Sequence, residues 1–284
     1  MTQFGYKTVG FGSGGAASWG LTATGGTETI DGDYKVHTFI ANGDFTVSAL
    51  GTDPTFGDKV EYLVVAAGAG GGGGGHGAGG GAGGYRHNSA YDMTVTAQTY
   101  AVVVGAYGVP GGSSSHGTNG GLASAFGISS AGGGGGGGHN PGFAQTGGSG
   151  GGGFVGHSGA AGNTPSTTPA QGHAGGNGTS PGYSSGGGGG GASQVGAAGT
   201  IGLGGTGGNG SANDIHGSSR TYSAGGAGHR HGHNQVGGSG GLGGASNIAT
   251  DGGRNIANNY GMGGGGVVDN ASSGVVVIRY KVIE

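Results

Sequence analysis

Three histidines at alternating positions are the side chains in this sequence that come nearest to a metal site. His229, His231 and His233 stand in "HRHGHN", and alternate side chains of an extended segment lie on one side. Repeated around the axis of a homotrimer, these imidazoles could surround a transition metal ion. No carboxylate or thiolate accompanies them, so we favour a structural or solvent-exposed loop over a metal site and expect no cofactor.

A second group of residues has the chemistry of molecular recognition. Tyr, Arg and Asn side chains interrupt a middle region that consists largely of glycine, and tyrosine and arginine dominate binding hot spots. The candidates for binding a macromolecular surface, taken as a set, are Tyr183, Arg220, Tyr222, Arg230, Arg254 and Tyr260. For any one of them the alternative stays open that the side chain only fills the end of a packed region.

Catalysis and nucleic-acid binding find little support in the sequence. The GxGxxG pattern after Val65 lacks the following helix and the acidic residue of a dinucleotide site. Charged residues make up 7% of the chain, the net charge is −3 and there is no cysteine. A nucleic-acid-binding surface is usually strongly basic. We therefore expect a protein that is not an enzyme and binds no nucleic acid.

Strand-like segments lie at both ends of the chain. "YKVHTFIANGDFTVSAL" (34–50) has Asn42-Gly43 between two β-rich runs, which predicts a hairpin. "MTVTAQTYAVVVGAYG" (93–108) indicates a second hairpin, and "SGVVVIRYKVIE" at the C terminus is typical of a strand covered on both faces. No segment has a helical period. We expect the C-terminal strand to pair with early strands, so that both chain ends form one small sheet.

Glycine supplies 88 of the 284 residues, which leaves few side chains for a conventional core. The runs span approximately residues 68–84, 132–138, 147–153, 186–191, 202–210, 225–228, 237–244 and 261–266. Several runs place a non-glycine residue at every third position, as "GLGGTGGNG" does. Three residues per turn is the period of the polyproline II conformation, called polyglycine II when the chain is glycine. The alternative is a set of flexible linkers.

Glycine permits such helices to pack side by side, because no Cβ keeps their backbones apart. The fold class that we predict is all-β with non-classical content, in which the small sheet merges into a bundle of polyglycine II helices. The predicted organisation is an attachment segment (1–30), a β framework (31–131 plus 267–284) and a bundle with recognition loops (132–266), its first glycine helix being about 68–84. Histidines that follow glycine runs, namely His76, His139, His157 and His173, are expected to cap backbone groups at the ends.

The order of these motifs resembles the glycine-rich domain that recurs in bacteriophage virion proteins. The resemblance is carried by "VEYLVVAAGAGGGGGG", "GAGGYR", "TYAVVVGAYG", "ASAFGISSAGGGGGGG" and "GGGGVVDNASSGVVVIRY", and it covers about residues 25–280. The glycine runs are also similar to the distal adhesin of T-even-like phage long tail fibres. The resemblance implies layered polyglycine II helices whose connecting loops bind the host receptor.

These observations lead to one functional hypothesis and two alternatives. We expect a phage tail-fibre or tail-tip adhesin on the virion, assembled in the host cytoplasm. Its N-terminal segment is expected to join other virion proteins, and its loops to bind a bacterial outer-membrane protein or glycan. The loops 154–185, 211–223 and 245–260 are the candidates for one binding face. The alternatives are a purely structural virion protein, such as a capsid fibre or cement protein, and an ice-binding protein.

Overall fold

The computed structural model describes residues 19–139, 142–180, 184–230, 238–242, 260–266 and 271–282. These residues form strands and extended segments, with no helix among them; in this part of the chain, no helix could span a membrane. The strands are β1 (Thr22–Thr24), β2 (Thr27–Asp31), β3 (Tyr34–Phe39), β4 (Gly43–Ala49), β5 (Lys59–Val65), β6 (Tyr85–Thr94), β7 (Thr99–Val102), β8 (Ala123–Ala125), β9 (Ile128–Ser130), β10 (Ser211–Asn213), β11 (Arg220–Tyr222) and β12 (Val275–Lys281).

The largest sheet is antiparallel and unites the two ends of the chain, as the sequence predicted. Its strand order is β2-β3-β12-β5-β6. The C-terminal strand β12 is central, with Ile278 opposite His37 on β3 and opposite Tyr62 on β5. Val275, Val276, Val277 and Ile278 are all buried, which confirms the prediction of a strand covered on both faces.

Both predicted hairpins are wrong, because the chain changes sheets at each of them. β3 and β6 belong to the five-stranded sheet, whereas β4 and β7 belong to a second sheet with the order β1-β4-β7. Asn42 does not form a hairpin turn; its Oδ1 accepts a hydrogen bond from the amide of Val104 at 2.8 Å. The change of sheet lets Phe39 and Phe45 both enter one core between the two sheets.

Each face of the five-stranded sheet has its own core. The core against the second sheet contains Val60, Val64, Ile278 and Tyr280 among others. On the opposite face, Leu63, Val65 and Val277 pack against the hairpin formed by β10 and β11. Because β-strand side chains alternate between faces, the continuous apolar runs in β5 and β12 supply both cores.

A buried ion pair lies at the polar edge of the core that packs against the β10–β11 hairpin, which we call the second core. Arg279 on β12 and Glu61 on β5 are directly opposite each other, and the Arg279 Nε lies 2.5 Å from the Glu61 Oε2. The Glu61 side chain is only 3% exposed. The Arg279 guanidinium also lies over the ring of Tyr34, 4.8 Å from its centroid. This pair compensates two charges that the sheet removes from water.

The first glycine run folds back on itself. The amide groups of residues 66, 69 and 72 donate to the carbonyl groups of residues 84, 81 and 78, so the two halves of the run are antiparallel. Gly74, whose φ is +89°, lies in the turn between them. The prediction of one helix over 68–84 is therefore wrong: a run of 17 residues at about 3.1 Å per residue is too long for its shorter neighbours, and glycine tolerates the positive φ of the turn.

Residues 78–84, which we call the first central segment, have hydrogen-bonded neighbours on six sides. Successive amides of this segment donate to three different neighbouring segments in turn, so every third amide donates to the same neighbour. The amides of Ala78, Gly81 and Gly84 donate to segment 131–137, those of Gly79 and Ala82 to segment 187–190, and those of Gly80 and Gly83 to segment 261–264. Its carbonyl groups accept from residues 66–72, 149–152 and 226. Residues 186–192, the second central segment, have the same kind of environment.

Glycine is required wherever backbones approach this closely. A Cβ at Gly81 would lie 2.3 Å from the carbonyl oxygen of Ser149, and one at Gly189 would lie 2.0 Å from that of Gly80. Segments at the surface keep side chains in the outward column alone: Thr206 is exposed, whereas Gly205 and Gly207 are buried. A non-glycine residue at every third position therefore indicates a segment that has one side exposed to solvent.

The glycine segments and the β framework share hydrogen bonds along the whole chain. Residues 66–84, which connect β5 to β6 and include the predicted first glycine helix, bond to residues 133–137 and 187–190 of the predicted bundle. Segments 105–111 and 117–121 also bond to residues 68–73 and 133–136. The boundaries 1–30, 31–131 plus 267–284, and 132–266 stay a prediction, and residues 1–18 lie outside the described residues.

Candidate functional site

The turns between glycine segments gather at two ends of the molecule. At one end, the sheet end, the segments continue into β5, β6 and the β10–β11 hairpin. At the opposite end, which we call the distal face, the described turns lie at residues 74–77, 112–115, 154–157 and 200–203, each closed by a backbone hydrogen bond of 2.8 to 3.3 Å. Every segment that enters a turn is fixed by its neighbours, so these turns are held on a rigid support.

Aromatic rings and imidazoles meet on the distal face. The ring of Phe154 receives His76 and His139 edge-on, with centroids 5.8 and 5.7 Å away. Phe154 is 7% exposed and anchors this group. Phe143 contacts His157 in a second pair at 5.2 Å and is 63% exposed. A large exposed ring beside polar imidazoles is a typical anchor for a binding partner.

Two histidines hold distal turns through the backbone. The Nδ1 of His76 donates to the carbonyl oxygen of Ser184 at 3.1 Å, which confirms that this histidine caps a segment end. The Nδ1 of His229 donates to the carbonyl oxygen of Gly75 at 3.0 Å, and His229 is 3% exposed. His229 is therefore a structural residue. His231 and His233 lie outside the described residues, and within these no three His, Cys, Asp or Glu side chains are grouped to hold a metal.

The structure divides the predicted binding set between the two ends. Arg230 lies at the distal face, where it pairs with Ser185 in an isolated bridge. Arg220 lies on β11 at the sheet end, and Tyr260 packs there against the second core. Tyr183 and Arg254 lie outside the described residues. The described members of the set do not share one surface.

Tyr222 is part of the core and is removed from the candidate set. Its side chain is 0% exposed, its hydroxyl is hydrogen-bonded to His216 Nδ1 at 2.6 Å, and burial raises the pKa of its phenol well above the usual value. The sequence marked Tyr222 as exposed because it lies in an interruption between glycine runs. That interruption is a hairpin whose inner face covers Leu63 and Val65.

The predicted binding face of loops 154–185, 211–223 and 245–260 stays a prediction, because the first of these loops spans both ends of the molecule. Residues 154–157 turn at the distal face, whereas residues 168–170 and the β10–β11 hairpin lie together at the sheet end, and residues 245–259 lie outside the described residues. Further packed segments, such as 173–176 and 194–197, lie between the glycine runs that the sequence marks. Each uncounted segment moves the following loop to the opposite end.

We expect the free energy of unfolding to depend on pH through the buried imidazoles of His216 and His37. Burial, followed by the charge of Arg220, lowers the pKa of His216 to about 4, and burial lowers the pKa of His37. A folded-state pKa below the unfolded value of about 6.5 contributes stability above pH 6.5 that is lost as the pH falls toward 4. We expect the unfolding free energy to decrease by roughly 2 kcal/mol over this window, after allowance for partial exposure.

Urea denaturation at several pH values measures this dependence. The variant His216→Asn should flatten the curve between pH 6.5 and 4, and the exposed His87 supplies a matched control, His87→Asn. Equal slopes for His216→Asn and the parent protein in this window would show that His216 does not titrate on unfolding.

A family model described as a glycine-rich domain matches residues 40–281. The chain belongs to this family of glycine-rich domains. The match begins after β3 and ends at the last residue of β12, so the glycine-rich domain includes most framework strands together with the described glycine segments. None of the curated proteins matches the chain.

Sequence reasoning missed the aromatic centre of the glycine-rich domain's distal face. His139 and Phe143 stand in one interruption, "HNPGFAQT" (139–146), and Phe154 follows the next glycine run, but no motif connects the three. The available signal was positional, since a histidine or phenylalanine follows several glycine runs. Which of these positions meet at one end depends on the number of segments between them, and that number requires the structure.

Proposed function

We propose that this protein is a bacteriophage tail-fibre or tail-tip protein that binds the host surface through its distal face. The glycine-rich domain is the basis of the resemblance to phage virion proteins. The observation that carries the proposal is the support of the distal turns by two central segments, each hydrogen-bonded on six sides. Rigid scaffolds that present short variable turns are a common arrangement for recognition.

The scaffold is proposed to consist of polyglycine II helices. Support comes from the hydrogen bonds of residues 78–84, whose neighbour repeats at every third residue, as a helix with three residues per turn requires. Six neighbours around one segment agree with hexagonal side-by-side packing. In this arrangement the amides that polyglycine II leaves unbonded within the helix are satisfied between helices.

The four described turns of the distal face contain no charged residue, and recognition is proposed to depend mainly on these turns, with Arg230 the charged side chain described at the same face. No Asp, Glu, Lys or Arg occurs between Asp92 and Asp214, a range that contains the distal turns 112–115, 154–157 and 200–203. Recognition would use aromatic contact through Phe143 and hydrogen bonds from imidazole and hydroxyl groups. Because screening by salt acts on charges, adsorption should change less than about twofold between 50 and 300 mM NaCl.

Other features of the proposal concern assembly. The N-terminal 30 or so residues join the protein to other virion proteins, and the receptor is a bacterial outer-membrane protein or glycan. A homotrimer is the proposed oligomeric state. The protein is assembled in the host cytoplasm, carries no cofactor and catalyses no reaction in this proposal.

Particle analysis combined with an adsorption assay tests the role. We expect mass spectrometry of purified particles to detect the chain, and we expect the purified protein, added to host cells in advance, to slow adsorption of its phage at least tenfold. Absence of the chain from particles would reject the virion role. Presence without any competition would instead favour the structural virion alternative.

A further inference from the structure

A groove of about 390 Å³ lies at the sheet end, far from the distal turns. One wall is formed by β6 with Tyr85, Arg86 and His87, and the other by Thr168 and Pro169 of the loop 163–171, while Ser211 lies at one side. Small-molecule sites usually enclose about 300 to 1,000 Å³. The volume therefore suits a compact ligand of one or two rings.

The loop that forms the outer wall is fixed by its own hydrogen bonds. Asn163 Oδ1 accepts from the amides of Thr167 and Gln171 at 3.0 and 3.2 Å. Gln171, which is 1% exposed, donates from Nε2 to Pro165 O at 2.7 Å and accepts at Oε1 from the Ala131 amide at 2.7 Å. The groove is thus formed before a ligand arrives, which lowers the entropic cost of binding.

The groove offers hydrogen-bond donors whose protein partners are few. Among the described residues, the Arg86 guanidinium has one long hydrogen bond, from Nη1 to Ser129 O at 3.4 Å. A guanidinium has five N–H donors and binds a carboxylate through two of them. His87 is exposed beside the ring of Tyr85, with centroids 5.2 Å apart. Tyr85 is held in place by Asn213, whose Nδ2 donates to its hydroxyl at 3.0 Å.

The edge of β6 limits what this groove can accept. The Tyr85 amide points away from β5 and donates to Gln171 O at 2.8 Å, so His87, two residues later, directs its backbone groups to the same side. Beyond Asn88 the pairing with β5 is irregular, and the Ala90 amide donates to Asn88 Oδ1 at 2.9 Å. Between these points only His87 presents free backbone groups at the edge of β6. One residue supplies too few hydrogen bonds for an extended peptide to add to the sheet as a strand.

We propose that this groove binds a short acidic saccharide. The Arg86 guanidinium binds the sugar carboxylate, and the hydroxyl groups of Thr168 and Ser211 with the His87 backbone bind sugar hydroxyls. The inference does not rest on the adhesin role, since the groove lies at the sheet end, away from the distal face.

Saturation-transfer difference NMR on the full chain tests the proposal with glucuronic acid, neutral glucose and an uncharged extended tetrapeptide as probes. We expect glucuronic acid to bind with a millimolar Kd and glucose to bind at least tenfold more weakly. The variant Arg86→Gln should weaken glucuronic acid binding at least tenfold, in line with the loss of a charged hydrogen bond. Lys35→Gln, which removes a positive charge from β3 in the same sheet, is the matched control and should leave the Kd unchanged.

Each other outcome overturns the proposal. Saturation transfer to the tetrapeptide but not to either sugar would make the groove a peptide site. An Arg86→Gln variant that is folded by circular dichroism and binds glucuronic acid like the parent would remove Arg86 as the anchor. No transfer to any probe at 20 mM, a concentration on the order of ten times the expected Kd, would show that the groove is not a ligand site. None of these measurements involves phage adsorption, so failure of this proposal can be distinguished from failure of the adhesin proposal.

Discussion

Replacing Gly81 with alanine should destabilise the protein by about 3 kcal/mol or more, although the change adds one methyl group. The new Cβ would lie 2.3 Å from the Ser149 carbonyl oxygen, and the first central segment cannot move away because it has neighbours on six sides. Separation of the two backbones would also weaken the hydrogen bond between them, from the Ser149 amide to Ala82 O, which is 3.0 Å long. A buried amide without a partner costs about 1–3 kcal/mol.

The adjacent position supplies the control. Ala82 is buried at 0% exposure in the same segment, so its Cβ already has a place. Ala82→Gly should cost only about 1 kcal/mol, from the added chain entropy and the lost methyl group. Urea denaturation of both variants measures the difference. Similar losses at the two positions would contradict close packing around Gly81.

Removal of the Arg279 charge should have the second large effect. Arg279→Met leaves the Glu61 carboxylate 3% exposed without its partner, and the loss of one member of a buried ion pair costs about 3–5 kcal/mol. Methionine keeps much of the apolar stem that packs beside Tyr34. The measurement is again the free energy of unfolding, determined at pH 7.

The double variant Glu61→Leu/Arg279→Met separates charge from packing. Substitution of a buried pair by apolar residues is often neutral or stabilising, so the double variant should recover most of the stability that Arg279→Met loses. A double variant as unstable as the single one would show that Arg279 acts through its stacking on Tyr34 or through other contacts of its side chain, and not mainly by compensating Glu61.

The sequence allowed the strands of the framework to be predicted, but not their partners. Val275 to Ile278 form an apolar run whose only explanation is burial on both faces, and β12 has that position. Asn42-Gly43 is a strong local hairpin signal, yet the separation of Phe39 and Phe45 into facing sheets overrode it. Local turn chemistry was outweighed by the gain from filling a core, which no short stretch of sequence reveals.

The sequence predicted that the glycine runs form packed extended segments, but it did not predict how these segments are connected. A glycine triplet indicates which residues are buried, as Thr206 and its buried neighbours confirm. The fold-back at Gly74 has no sequence signal, because a turn made of glycine looks like the segments on either side. This ambiguity decides the end at which every later loop lies, and so the location of the distal face could not be derived from the sequence.

Host specificity of a phage with exchanged distal turns tests the adhesin proposal most directly. Residues 112–115, 154–157 and 200–203 would be replaced by the corresponding turns of a related phage, and the sheet-end turn at residues 192–195 would be exchanged as the control. We predict that the distal chimaera assembles normally and adsorbs to the donor's host, whereas the control keeps the original host. Normal assembly of the distal chimaera with unchanged adsorption to the original host would contradict the proposal.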